Sequence, residues 1–141
     1  MFPKNSRILI VDDTGPHRQV LKDLLKQLGY TSIVEAEDGN LGYNAIVKAL
    51  KSKESFDLVF SDMYMKPTSG IELLVKIRKN TELLNLPFIM ATTENGVKKV
   101  VSAINEGASE YMVKPYELET LTRKMTSTWN KTHQVPAKKP S

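Results

Sequence analysis

The feature that most constrains this chain is an alternation repeated five times. A short β-branched or apolar run is followed by a segment whose apolar residues fall at helical spacing, and the pair then recurs. The runs are RILIV (7–11), SIVEA (32–36), DLVFS (57–61), PFIMA (87–91) and EYMV (110–113). Val20, Leu21, Leu24, Leu25 and Leu28 form the first helical stripe, which stops at Gly29; Leu41, Ala45, Ile46, Ala49 and Leu50 form the second. Ile71, Leu74 and Ile77 form the third, Val97, Val100, Val101 and Ile104 the fourth, and Leu118, Leu121, Met125 and Trp129 the fifth. Parallel neighbours need crossover connections, which are right-handed and nearly always helical. The pattern therefore predicts a doubly wound α/β fold: a five-stranded parallel sheet with helices on both faces.

A chain of 141 residues fits one domain, and 40% hydrophobic with 26% charged residues is a globular composition. Residues 1–130 are assigned to the domain and 131–141 to a disordered tail rich in Lys and Pro. No apolar run reaches bilayer length and the start lacks a signal-peptide core, so no membrane association and a cytoplasmic location are predicted. Cysteine is absent, and His17 and His133 are the only histidines. Any metal must then use oxygen ligands. The net charge of +4 comes partly from Lys4, Arg7, Lys131, Lys138 and Lys139, read as solvated termini because no aromatic residues interleave with them.

In open α/β sheets, ligands bind beyond the carboxyl ends of the strands. Those ends here carry Asp12 and Asp13, Asp62, Thr92 and Thr93, and Lys114. A lone Asp after a strand is often only a turn former or helix cap. Three together repel unless a cation sits among them, and a hard divalent ion with oxygen ligands, Mg²⁺, fits that need. Such a site has the parts to steady a phosphoryl group passing to a carboxylate, with Lys114 pairing charge and Thr92 donating a hydrogen bond.

The motifs ILIVDD (8–13), DLVFSD (57–62), ATTE (91–94) and GASEYMVKPY (107–116) together resemble the receiver domain of two-component response regulators, across residues 7 to 129. The resemblance implies the flavodoxin-like strand order 2-1-3-4-5 and a single-domain response regulator. It implies that Asp62 accepts phosphate from a sensor histidine kinase or phosphotransfer protein. Asp13 is then the direct Mg²⁺ ligand, Asp12 acts largely through water, and Asp62 and the main-chain carbonyl of Tyr64 complete the protein's share. Thr92 and Tyr111 form the switch pair, Lys114 pairs with the phosphate, and the Lys114-Pro115 bond is cis. Tyr64 and Glu94 tune dephosphorylation. The output implied is protein binding through the fourth helix, fifth strand and fifth helix, with no DNA-binding domain and no turnover of a separate substrate. The departures are a proline one place late in MYMKPTSG (63–70), Thr93 where a smaller residue is usual, and an insertion over 51–55. Two other readings are a receiver excised from a longer regulator and an aspartyl-nucleophile phosphatase. The phosphatase reading calls for a second acid two residues after the nucleophile, where Tyr64 stands.

Overall fold

The computed structural model describes residues 1–93 and 97–133. Every predicted run forms a strand: β1 Arg7–Val11, β2 Ser32–Ala36, β3 Leu58–Asp62, β4 Phe88–Thr92 and β5 Glu110–Val113. All pairings are parallel, in the order β2-β1-β3-β4-β5. The helices are α1 Gly15–Gln27, α2 Gly39–Lys51, α3 Gly70–Lys79, α4 Val97–Asn105 and α5 Leu118–Thr132, with a 3-10 turn at Thr81–Leu83 before β4. β3 and β4 each run one residue further than the apolar runs suggested. Asp62 pairs with Ala91 and Thr92 with Val113, so both polar residues close their strands within the ladder.

Strand side chains alternate between two cores. On one face Leu9, Val11, Val59, Phe88 and Met90 meet Ile46, Ala49, Leu73, Leu74, Ile77 and Ala103 from α2, α3 and α4. On the other, Ile8, Ile10, Leu58, Phe60, Ile89 and Met112 meet Leu21 and Leu25 of α1 and Leu121 and Met125 of α5. Each fully buried aliphatic side chain contributes about 1.5–3 kcal/mol. Strands β1, β3 and β4 are therefore dry on both sides, as their near-continuous apolar runs require, while the edge strand β2 is mostly half-buried.

Some apolar helix positions turn outward. Leu41, Val101, Ile104, Val20 and Leu118 are exposed. In α2 the sheet-facing position is Gly42, where a Cβ would lie 2.8 Å from Val11 Cγ2, so the helix packs too closely for a large residue there. Among the described side chains of α4, Ala103 is the fully buried one. Small residues therefore take inward positions on both helices, beside Ile46 in α2, and periodicity of large apolar residues cannot register them.

The first residues belong to the core. Phe2 is 1% exposed and packs edge-on against Trp129, ring centroids 5.1 Å apart. The buried Tyr30 hydroxyl donates to the Phe2 carbonyl at 2.8 Å. α5 continues past the predicted boundary at 130, and Lys131 is no loose terminal charge: its Nζ donates to Glu110 Oε2 at 2.9 Å and to the Ser109 carbonyl at 3.2 Å. Of the predicted tail over 131–141, residues 134–141 lie outside the described residues, as does Glu94. Among the described residues no helix is long and apolar enough to cross a membrane.

Glu110, at the start of β5, is 8% exposed. Burial works to raise its pKa, but hydrogen bonds from Lys131 and Ser127, the Lys124 charge and the Tyr111 main-chain N–H outweigh it and hold the carboxyl at about 2. A depressed folded value stabilises the fold above the unfolded pKa and is lost as pH falls between the ordinary 4.5 and about 2. Glu110→Gln is expected to cost about 2 kcal/mol at pH 7, less than full linkage because Lys131 is half exposed. The deficit should shrink over that acid window in urea unfolding at stepped pH.

Candidate functional site

The carboxyl edge of the sheet gathers the predicted residues. Asp12 and Asp13 follow β1, Asp62 and Thr92 end β3 and β4, and Lys114 follows β5. One carboxylate oxygen from each of Asp12, Asp13 and Asp62 can be chosen so that all three lie within 4.8 Å of one another. Asp12 is buried and held by the Thr14 main-chain N–H, which donates to its Oδ1 at 2.9 Å. Arg18 donates to the Asp12 carbonyl at 2.8 Å, which leaves the carboxylate facing the cluster's cation, Lys114. Asp13 is exposed and accepts from the Thr14 hydroxyl at 3.3 Å.

Lys114 Nζ stands 2.7 Å from Asp12 Oδ2 and 3.5 Å from Asp62 Oδ1. Its backbone N–H donates to the Thr92 carbonyl at 2.8 Å, which ties the β5 exit to the end of β4. The Lys114-Pro115 bond is cis, as the resemblance implied, and so is Lys66-Pro67 in the loop after Asp62. That loop is closed by Gly70, whose N–H donates to the Met63 carbonyl at 3.0 Å. A Cβ on Gly70 would collide with the Asp62 carbonyl, so the start of α3 can lie this close to the end of β3 because this residue is glycine. Ser69 and Glu72 form a capping box that fixes the same turn.

Thr92 is fully buried. Tyr111 pairs with Met90, and Thr92 with Val113, so Thr92 and Tyr111 project to the same face of neighbouring strands. The Tyr111 ring is half-buried against the α2-α3-α4 core, with Lys124 Nζ 4.2 Å from its centroid. Tyr64 is exposed, and Lys99 Nζ sits 4.9 Å from its ring.

His17 is a contributor that the sequence reading passed over. From the first turn of α1 its Nδ1 lies 2.9 Å from Lys114 Nζ. The signal was present: one of two histidines in the chain stands four residues after the acid pair. Tyr116 is a second. Burial first, then the charges of Asp12 and Asp62, push its phenol pKa up and keep the hydroxyl protonated.

A family profile for the response regulator receiver domain matches residues 8–126. The chain belongs to the response regulator receiver family. Chemotaxis protein CheY-3 of Vibrio cholerae is 38% identical over 122 residues, covering 86% of this chain and 90% of that one. The solved structure of V. cholerae CheY4 superposes with a TM-score of 0.76 at 30% identity, over 88% of this chain and 98% of that one. A chain of the CheX-CheY-BeF3-Mg²⁺ complex from Borrelia burgdorferi gives 0.77 at 25% identity, over 88% and 89%. The receiver fold is thus shared, and the two-component signalling class with it.

Burial pushes the Asp62 carboxyl above the usual range. Lys114 and the Tyr64 main-chain N–H pull it down, Asp12 and Asp13 push it up, and the net direction is upward. A raised folded value means that ionised Asp62 costs stability: its favourable contribution is present below the ordinary Asp pKa and is lost as pH rises through the raised one. In metal-free buffer at pH 7, Asp62→Asn is expected to melt higher than wild type by about 3 °C. The gap should close as pH falls through the carboxylate range, read by scanning calorimetry.

Proposed function

We propose that this receiver is a phosphorylation-controlled switch in which Asp62 accepts a phosphoryl group from a phosphohistidine of a sensor histidine kinase or phosphotransfer protein. The observation that carries the reading is the convergence of three carboxylates within 4.8 Å with Lys114 Nζ 3.5 Å from Asp62 Oδ1. Hard oxygen donors suit Mg²⁺, with Asp13, Asp62 and the Tyr64 carbonyl as direct ligands and Asp12 acting largely through water. When bound, that ion supplies positive charge against the phosphoryl oxygens.

An Asp62 carboxylate oxygen attacks phosphorus: the P–O bond forms as the donor's P–N bond breaks, and the bonding pair leaves on the donor's imidazole nitrogen. Lys114 donates to one phosphoryl oxygen and the Thr92 hydroxyl to another. Water later hydrolyses the acyl phosphate, so the protein turns over no separate substrate. Thr92 moves toward the phosphoryl group and Tyr111 swings inward behind it, an exchange that their shared face of β4 and β5 supports. The exposed Val101 and Ile104 of α4, with Lys124 of α5 over Tyr111, support a protein-binding output on the α4-β5-α5 face. The receiver unit is the domain assigned to residues 1–130, with α5 running on to Thr132, and it works in the cytoplasm.

Incubation with acetyl phosphate and Mg²⁺, followed by intact-mass spectrometry, should add one phosphate to wild type. EDTA or Asp62→Asn should abolish it, and an adduct on that variant would overturn the assignment of Asp62. Tyr64, exposed two residues after the acceptor, and Glu94, two residues after Thr92 in the sequence, set the lifetime. Tyr64→Asn is expected to shed phosphate several-fold faster, about 1 kcal/mol off the barrier, by opening a path for water. A slower decay than wild type, followed by the same mass assay after donor removal, counts against that role.

A further inference from the structure

A lysine ammonium has three N–H donors and no acceptor, and its head turns freely on a flexible stem. Lys114 Nζ lies 2.7 Å from Asp12 Oδ2, 2.9 Å from His17 Nδ1 and 3.5 Å from Asp62 Oδ1. His17 Nδ1 and Asp12 Oδ2 are 3.9 Å apart, beyond hydrogen-bond reach, so the lysine bridges them. Because an ammonium can only donate, the ring nitrogen facing it offers its lone pair, and the ring's own proton belongs on Nε2. Asp12 alone would leave the ammonium free to rotate about the Nζ–Oδ2 line. A second acceptor removes that rotation, and with two N–H directions set on a tetrahedral nitrogen the third is set as well.

We propose that His17 is a positioning residue for phosphoryl transfer: by accepting a hydrogen bond from Lys114 it fixes the rotation of the ammonium, and the remaining N–H is aimed at the oxygens carried by Asp62. The inference rests on the acceptor reading above and adds a residue to it. Orienting a charged donor before the reaction removes an entropic cost from the transition state, where charge on the phosphoryl oxygens is greatest. A packing role is a poor account of His17. Its side chain is 45% exposed and borders an open cavity of about 280 Å³ shared with Val20, Thr93 and Pro115.

Two variants separate the roles. His17→Ala removes the acceptor, whereas His17→Gln keeps a side-chain carbonyl able to accept from Lys114. With acetyl phosphate and Mg²⁺, followed by acid-quenched mass spectrometry, His17→Ala is expected to lower the second-order rate constant for phosphorylation about tenfold, the size of one hydrogen bond to a charged group. His17→Gln should recover most of that loss, with thermal melts of both variants matching wild type. In wild type, ¹⁵N NMR of His17 should place the ring proton on Nε2. An unchanged rate in His17→Ala, an equal loss in both variants, or a ring proton on Nδ1 overturns the proposal. If wild type itself takes no phosphoryl group, the acceptor reading falls and this inference with it. If wild type is phosphorylated and His17→Ala matches it, this inference alone falls.

Discussion

The structure depends on holding three carboxylates together at one end of a sheet. Like charges at such separations oppose folding, and the oppositely charged Lys114 reaches them from the last strand. Asp12 follows β1 and Lys114 follows β5, so their 2.7 Å contact spans β3 and β4 and depends on the order of those four strands. A register slip of one residue would move every side chain of a strand to the opposite face, exchange the members of the two cores and carry Asp62 or Thr92 out of line with the other polar strand ends. The dry faces of the sheet and the polar edge are in this sense one design: burial sets the register, and the register places the charges.

The fold was largely legible because strands buried on both sides read as near-continuous apolar runs, as β1, β3 and β4 do, while the edge strand β2, interrupted by exposed Glu35, still kept its place in the alternation. Helix faces were less so. Gly42 of α2 lies too close to Val11 for a side chain and Ala103 of α4 is fully buried, and a small residue leaves no mark in hydrophobic periodicity. Asp12, Asp13, Asp62, Thr92 and Lys114 were readable because strand ends share one edge whatever their spacing in the chain. His17 was not, since its partner Lys114 is 97 residues away and only the crossover of α1 brings the two together. Lys131 was misread for a similar reason: a lysine near a chain end looks solvated until a buried carboxylate such as Glu110 appears beneath it.

Glu110 also shows how a polar group can be buried at the margin of a core without loss. Its two carboxylate oxygens take Lys124, Lys131 and Ser127, so its charge is matched on the spot and the neighbouring Tyr111 is held under the same Lys124. Tyr111 is thereby tied to α5 through electrostatics, while its backbone stays in the sheet.

The pairing of Phe2 with Trp129 has a practical consequence. Trp129 is the chain's single tryptophan, near the far end of α5, and it stacks on His133 with ring centroids 3.5 Å apart while Phe2 meets it edge-on. Its emission therefore reports the seam between the first residues and α5, at the edge of the sheet opposite the acids. Intrinsic fluorescence would be a sensitive gauge of whether that seam is intact and an insensitive one of events at Asp62. A fusion placed directly before Phe2 would be felt by the optical probe before it was felt by the chemistry.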